Sequence, residues 1–270
     1  MADVTVHGLR LNYRDTGGDF PPVVLVHGFT GNVRNWALTV RGLRDRYRFV
    51  SFDLPGHGDS DKPGDPAAYD ILNMANLVFG AMQELGLEKP TLIGHSMGGM
   101  VSQYIALDHQ DSLRALVLVD TAAEAIAVRP GRLNIAEARD QIREKGIEFA
   151  FDMQLKANPD AAKMAPEFVQ MWREQFLMTS ADAYLACSEA MMKRPPLLPR
   201  LHEITIPTLV ICGENDDPFL EPSKHMHEAI AGSELAIIEG AGHGPTFETP
   251  DKFNAVLGGF LDRIYATTAA

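Results

Sequence analysis

The segment TLIGHSMGGMVSQYIAL, residues 91–107, decides the fold of this chain. Its first four residues form an apolar run typical of a buried strand, and a helical pattern begins at Gly98. Between them lies GHSMG at 94–98, a G-x-S-x-G sequence whose sharp turn leaves no room for a Cβ at the flanking positions. The turn lifts the Ser96 hydroxyl off the sheet and points the N-terminus of the next helix at a reacting carbon. The segment therefore predicts Ser96 as a nucleophile.

Short apolar runs rich in Val, Ile and Leu recur on both sides of this segment. They are nearly continuous rather than alternating, which is typical of strands buried on both faces of a parallel sheet. Helical patterns separate most of them, and TVHGLRLNYRD at 5–15 resembles an antiparallel hairpin at the sheet edge. The order predicts an α/β fold with a mostly parallel, doubly wound sheet. The strand runs are 23–26, 49–52, 91–94, 115–119, 208–211 and 235–238, and the helical stretches are 33–43, 70–86, 98–109, 224–231 and 250–265.

One interval interrupts this alternation. Between 121 and 200 no strand-like run occurs, and helical patterns rich in methionine and aromatic residues take over. We interpret 121–200 as a helical cap inserted into a core domain formed by 1–120 and 201–270. A cap roofs a pocket, so Trp172, Phe176 and Met153 are candidates for lining it, although such side chains at helical spacing more often form core.

Five segments in sequence order resemble the α/β-hydrolase fold family. They are VLVHGFTG at 24–31, FDLPGHGDSDKP at 52–63, GHSMGG at 94–99, CGENDDPF at 212–219 and GAGHGPTFETP at 240–250. The resemblance covers nearly the whole chain, and it implies an α/β-hydrolase fold in which the catalytic residues follow the order serine, acid, histidine.

A serine hydroxyl needs a base within hydrogen-bond reach, and that base needs an orienting carboxylate. The resemblance implies His243 as the base and Asp216 as the acid. Asp217 is adjacent to the expected position, and Asp120 ends the strand run ALVLVD, where some relatives carry the acid, so both remain open.

An oxyanion hole needs two backbone N–H groups near the developing charge. Met97, which follows the nucleophile, and Phe29, which follows the His27-Gly28 turn, are the expected donors. Their side chains are also expected to line the pocket.

Five other polar residues in these motifs are predicted to be structural. His27 belongs to the His-Gly turn and His95 lies inside the serine turn, while His57, Asp53 and Ser60 lie in FDLPGHGDS, a loop that mostly stabilises such folds.

The leading functional hypothesis is hydrolysis of carboxylic esters, with a small-molecule ester as partner. The resemblance leaves other serine-dependent reactions open: enol-lactone hydrolysis, carbon–carbon bond hydrolysis, the pyruvate-eliminating step of menaquinone synthesis and cofactor-free perhydrolysis. The menaquinone enzyme typically has Arg where this chain has Met100, although Arg129, Arg132, Arg173 and Arg194 could supply an anion site. A non-catalytic receptor for a small ligand is the alternative of another class.

Bulk composition narrows the class of protein further. The net charge of −12 over 270 residues argues against nucleic acid and against an anionic membrane surface as partners. The two cysteines do not make a disulfide framework, and no metal-ligand spacing occurs, so we expect no metal and no cofactor. The N-terminus lacks an apolar signal-peptide core, and we expect a cytoplasmic protein. The oligomeric state stays open between monomer and homodimer.

Overall fold

A computed structural model describes residues 2–124, 135–157 and 164–266. Eight strands in these ranges form one sheet in the order β1-β2-β4-β3-β5-β6-β7-β8. The β1–β2 hairpin is antiparallel and pairs antiparallel with β4, whereas β4, β3, β5, β6, β7 and β8 are mutually parallel. The strands are β1 Ala2–Val6, β2 Leu9–Asp15, β3 Pro22–Val26, β4 Arg48–Phe52, β5 Thr91–His95, β6 Ala115–Val119, β7 Thr208–Gly213 and β8 Glu234–Ile238. This confirms the predicted α/β class with a mostly parallel sheet and an edge hairpin.

Helices cover both faces of the sheet because successive strand residues point to opposite sides. On one face, Val24 and Val26 pack into an apolar cluster with α2 and α3. On the other face, Val23 and Leu25 pack against α1 and α9. The helices are α1 Ala37–Leu43, α2 Ile71–Glu84, α3 Met97–His109, α4 Ile135–Ala157, α5 Pro166–Phe176, α6 Ala181–Lys193, α7 Asp217–Ala229, α8 Pro245–Glu248 and α9 Pro250–Ala266. The sheet is therefore doubly wound, as the sequence predicts.

Three helices, α4, α5 and α6, lie between β6 and β7 in the chain, and we call them the cap helices. They share an apolar cluster of their own, built around Phe151, Phe176 and Tyr184. The long helix α4 is interrupted at Gly146, whose φ of 83° and ψ of −176° belong to a region that only glycine adopts readily. The cap helices thus have an apolar cluster of their own, and α6 also packs on the core through Ala183 and Cys187, while Phe29 contacts both clusters.

One helix begins well before its predicted first residue. The sequence places it at 224–231, but α7 begins at Asp217 and ends at Ala229. Pro218 lies in the first turn, where a missing N–H costs nothing, while Pro222 lies inside the helix, ahead of the predicted start at 224. Within the described ranges, no helix is both long and apolar enough to cross a membrane.

Candidate active site

Ser96 lies on a strained turn between β5 and α3. Its φ of 53° and ψ of −116° are unfavourable for a non-glycine residue, at a cost of about 1–3 kcal/mol. Backbone contacts hold it there: its N–H donates to the Val119 carbonyl at 2.9 Å, and its carbonyl accepts from Thr121 Oγ1 at 2.7 Å. A Cβ on Gly94 would lie 2.3 Å from the Gly98 carbonyl oxygen, and one on Gly98 would lie 2.3 Å from the Val26 carbonyl oxygen. Close backbone packing therefore requires both glycines of the motif.

The structure brings Ser96, His243 and Asp216 together at the carboxyl ends of the parallel strands. His243 Nε2 lies 3.0 Å from Ser96 Oγ, and His243 Nδ1 lies 2.7 Å from Asp216 Oδ2. The carboxylate can only accept, so Nδ1 carries the proton and Nε2 is left to accept from the serine hydroxyl. Asp216 is 4% exposed and Ser96 8%, so the acid and the nucleophile are shielded from bulk water. This arrangement suits activation of Ser96 for attack on a carbonyl carbon.

The geometry also separates the three candidate acids. Asp216 is the carboxylate that bonds to His243, while Asp217 is the first residue of α7. Asp120 is fully buried, and its Oδ1 accepts from the Gly213 N–H at 2.8 Å. Burial raises the pKa of Asp120 well above its ordinary value, which favours a neutral carboxyl there. Asp216 is therefore in position to orient the base, and Asp120 supports the turn that carries it.

The same corner contains a group of atoms that could be considered for a metal. Ligand atoms of Asp120, Cys212 and Asp216 lie within 4.8 Å of one another. Burial raises the pKa of the Cys212 thiol, so it stays protonated, and Asp216 is already engaged by His243. The Asp120 carboxyl is likewise engaged by the Gly213 N–H, so both carboxyl groups already make hydrogen bonds within this corner.

Two backbone N–H groups beside Ser96 are available to a ligand. In the described ranges, neither the Phe29 N–H nor the Met97 N–H donates to a protein acceptor. Met97 is the first residue of α3, where the helix dipole favours negative charge. Phe29 lies in a turn closed by the Gly31 N–H and the Gly28 carbonyl at 3.0 Å. That turn packs on the nucleophile, because a Cβ on Gly28 would lie 3.0 Å from Ser96 Cβ.

Aromatic rings surround this turn and the base. The Phe29 ring stacks on Tyr184 of α6 at a centroid distance of 4.9 Å, so the predicted oxyanion residue contacts the cap helices directly. Phe219 of α7 packs on the His243 ring at 4.6 Å, and Phe168 of α5 packs on Phe247 of α8 at 5.3 Å. These contacts place aromatic rings against the oxyanion turn and the base.

Two predicted pocket side chains occupy other places. Phe176 is 0% exposed and packs between Phe151 and Tyr184 inside the cap cluster, so it forms cap core rather than pocket wall. The Met97 side chain is also 0% exposed and belongs to the cluster under α2 and α3. For both side chains the structure corrects the predicted pocket role, because an apolar side chain on the inner face of a helix packs into the core. Trp172 and Met153 are only partly buried against the cap cluster, and their pocket role stays a prediction.

Three histidines and Asp53 make structural hydrogen bonds. His95 Nε2 donates to the His243 carbonyl at 2.7 Å, which ties the serine turn to the loop that carries the base. His57 Nδ1 donates to the Pro55 carbonyl at 2.9 Å, and His27 bonds to Gly28. Asp53 accepts from three N–H groups, and Ser60 Oγ donates to its carbonyl at 2.6 Å.

Sequence reasoning missed the bonds from Thr121 to the Ser96 carbonyl and from His95 to the loop of the base. The position of His95 beside the nucleophile was visible in the motif, but its partner lies 148 positions away in the chain. Thr121 carried no signal of its own, since a threonine after a strand is unremarkable in sequence.

Comparisons with known proteins agree with this fold. A family model described as the alpha/beta hydrolase fold matches residues 21–250. The 3-oxoadipate enol-lactonase 2 of Acinetobacter baylyi is 27% identical over 96% of this chain and 96% of that protein. The solved structure of an enol-lactonase from Burkholderia xenovorans LB400 has a TM-score of 0.85 and 28% identity, covering 96% of this chain and 99% of that one. A thermophilic esterase from Thermogutta terrifontis has the same TM-score and identity, covering 98% of this chain and 99% of that one.

Proposed function

Because this chain belongs to the α/β-hydrolase fold family, we propose that it hydrolyses carboxylic esters of small to medium, partly apolar substrates through an acyl-enzyme. The observation that carries the proposal is the hydrogen-bonded series from Asp216 through His243 to Ser96 Oγ. The family match and the esterase and enol-lactonase similarities support a serine hydrolase, and they confirm the resemblance seen in the five sequence segments.

The reaction follows from the direction of these bonds. Ser96 Oγ attacks the ester carbonyl while His243 Nε2 takes its proton, and Asp216 stabilises the imidazolium that forms. The N–H groups of Phe29 and Met97 bind the oxyanion of the tetrahedral intermediate. His243 then gives the proton to the leaving alcohol, which yields the acyl-enzyme. Water then attacks the acyl-enzyme while His243 Nε2 takes its proton. His243 returns that proton to Ser96 as the carboxylic acid leaves.

The surroundings of the site favour a partly apolar, uncharged substrate. Phe29 and Phe219 present aromatic rings near Ser96 and His243. Two of the arginines considered for an anion site are engaged in the protein. Arg173 pairs with Glu148, and Arg194 donates to the carbonyls of Met191, Ala122 and Glu124. Arg129 and Arg132 lie outside the described residues.

Enol-lactone hydrolysis is the second candidate, and it uses the same serine chemistry on a cyclic ester. The similarity to two enol-lactonases favours it. Pyruvate elimination is also represented among the similar proteins, by a putative 2-succinyl-6-hydroxy-2,4-cyclohexadiene-1-carboxylate synthase of Bacillus subtilis that is 29% identical over 95% of this chain. Met100 speaks against that reaction, because it stands where the menaquinone enzyme typically carries Arg and it is 3% exposed within the apolar core. A receptor without catalysis would not need the strained conformation of Ser96 or its bond to His243.

A substrate panel with a matched pair of serine variants tests the proposal. The panel contains p-nitrophenyl esters of short and medium acyl length, an enol-lactone and a carbon–carbon bond substrate. We expect Ser96→Ala to abolish turnover. Ser102→Ala, which removes a buried hydroxyl that donates to the Gly98 carbonyl at 2.8 Å, should keep it. Turnover retained by Ser96→Ala would refute the mechanism, and a kcat/KM for the enol-lactone well above that for every ester would favour the second candidate.

A further inference from the structure

The Gly28 carbonyl is fixed from two directions. It accepts the Gly31 N–H at 3.0 Å, and it accepts His27 Nδ1 at 2.7 Å. Gly28 C=O and Phe29 N–H belong to one planar peptide unit, and in a trans peptide they point in opposite directions. No cis peptide bond occurs in the described ranges. Holding the oxygen inside the turn therefore aims the Phe29 N–H out of it, and the same turn packs on Ser96 at Gly28.

The proton position on His27 follows from its second bond. His27 Nε2 lies 2.9 Å from the Leu54 backbone nitrogen, and an N–H donates there, so Nε2 must accept. The proton of the neutral ring is then on Nδ1, where it meets the Gly28 carbonyl. Burial lowers the pKa of His27 to about 4, so the ring stays neutral near pH 7 and keeps this tautomer. The ring is 0% exposed and has no direct route to a substrate.

We propose that His27 is a positioning residue for the oxyanion hole, holding the Phe29 N–H in place through the Gly28 carbonyl. This inference rests on the proposed function, because it assigns the Phe29 N–H to the developing oxyanion. A hydrogen bond to the carbonyl end of a peptide also polarises its N–H end, which strengthens the donor. Leu54 takes part indirectly, since its N–H sets the tautomer that leaves the proton facing Gly28.

Two isosteric variants separate the two bonds of His27. In His27→Asn, the side-chain amide nitrogen falls near the place of Nδ1 and keeps a donor for the Gly28 carbonyl, while the acceptor for Leu54 is lost. In His27→Gln, the amide falls near the place of Nε2 and keeps an acceptor for Leu54, while the donor to Gly28 is lost. Comparing kcat in the two variants shows which of the two hydrogen bonds of His27 matters to catalysis, while the buried volume stays similar.

We expect a loss of kcat in His27→Gln and not in His27→Asn. His27→Gln should lower kcat on a p-nitrophenyl ester by about 10- to 100-fold with little change in KM, because a misplaced donor is felt in the transition state. Its affinity for a boronic acid, which mimics the tetrahedral intermediate, should fall by a similar factor. His27→Asn should stay within about fivefold of the wild type in both measurements.

A matched control removes a similar bond elsewhere. His57 is equally buried and its ring centroid lies 5.2 Å from that of His27, but its Nδ1 donates to the Pro55 carbonyl rather than to the Gly28 carbonyl of the oxyanion turn. His57→Gln should lose stability comparably to His27→Gln and keep its kcat. Equal kcat in His27→Gln and His27→Asn would overturn the proposal, whether both equal the wild type or both are impaired.

A measurement on the wild type guards against variants that fail to fold. Long-range ¹H–¹⁵N NMR of the folded protein should show His27 protonated at Nδ1, and a ring protonated at Nε2 would overturn the proposal. Ser96→Ala is run in the same kinetic assay. If Ser96→Ala keeps its turnover, the proposed ester hydrolysis fails. If Ser96→Ala is inactive and the two His27 variants are equal, only the inference about His27 fails.

Discussion

Gly98→Ala should disturb catalysis through backbone packing alone. The new Cβ would lie 2.3 Å from the Val26 carbonyl oxygen and 2.5 Å from the His27 carbonyl oxygen. Reaching an ordinary carbon–oxygen contact requires a movement of about 0.7–1 Å. Both oxygens belong to the central part of the sheet, at and just after the end of β3, so the first turn of α3 has to move instead. That turn carries the Met97 N–H.

The size of the effect follows from this displacement. A shift of about 1 Å in a catalytic group costs about 100-fold in rate, so kcat/KM on a p-nitrophenyl ester should fall by about that factor. The free energy of unfolding should fall by about 1–3 kcal/mol, the usual cost of overpacking. Urea unfolding and steady-state kinetics measure the two effects on the same sample.

Gly64→Ala is the matched control for this variant. A Cβ at Gly64 would meet nothing within 4 Å, and the residue is exposed, so both activity and stability should be unchanged. Wild-type activity and stability in Gly98→Ala would refute the reasoning, because they would mean that the serine turn tolerates a side chain where the structure leaves no space.

Three further outcomes are expected. Asp216→Asn should lower kcat on a p-nitrophenyl ester by about 10⁴-fold because an amide favours the wrong tautomer of His243, and a loss below about tenfold would speak against Asp216 as the acid. Asp120 has a pKa raised by burial, so above about pH 4 the folded state holds more protons than the unfolded state, and stability falls as pH rises through the raised pKa. Asp120→Asn removes this pH dependence of the free energy of unfolding, so the variant should become more stable relative to the wild type between about pH 5 and about pH 8 in urea unfolding. Parallel pH profiles of the two proteins would contradict the raised pKa of Asp120. Burial raises the pKa of the thiols of Cys187 and Cys212, so neither should react with Ellman's reagent until the protein is denatured, and rapid reaction of the folded protein would show that a thiol is accessible.

The strands were predictable because their signals are local, whereas the order serine, acid, histidine came from the resemblance to the family. A strand buried on both faces must be apolar at every position, and the runs at 115–119 and 208–211 coincide with β6 and with most of β7. The serine turn was predictable for a similar reason, since close backbone approach at Gly94 and Gly98 excludes every other residue type.

The cap side chains were harder to place because their signal is ambiguous. Phe176 and Trp172 share a helix and a composition, yet Phe176 is fully enclosed while Trp172 is only partly buried. Which of them faces a substrate depends on how α5 is rotated against α4 and α6, and that rotation is set by tertiary packing. The choice among Asp216, Asp217 and Asp120 also needed the fold, because it is the fold that brings the Asp216 carboxylate to His243 Nδ1.

The role of His27 shows a third kind of limit. The sequence marks His27 as part of a His-Gly turn, but the Leu54 N–H that sets its tautomer lies 27 positions away. Only the folded chain brings the Leu54 N–H, the His27 ring and the Gly28 carbonyl together.

Covalent labelling with a fluorophosphonate tests the central claim most directly, because the reagent reacts with a serine only when a base and an oxyanion hole activate it. We expect one label per chain, located by mass spectrometry on the peptide that contains Ser96, and no label in Ser96→Ala. An unlabelled wild-type protein, or a label on another residue, would contradict the assignment of Ser96 as the nucleophile.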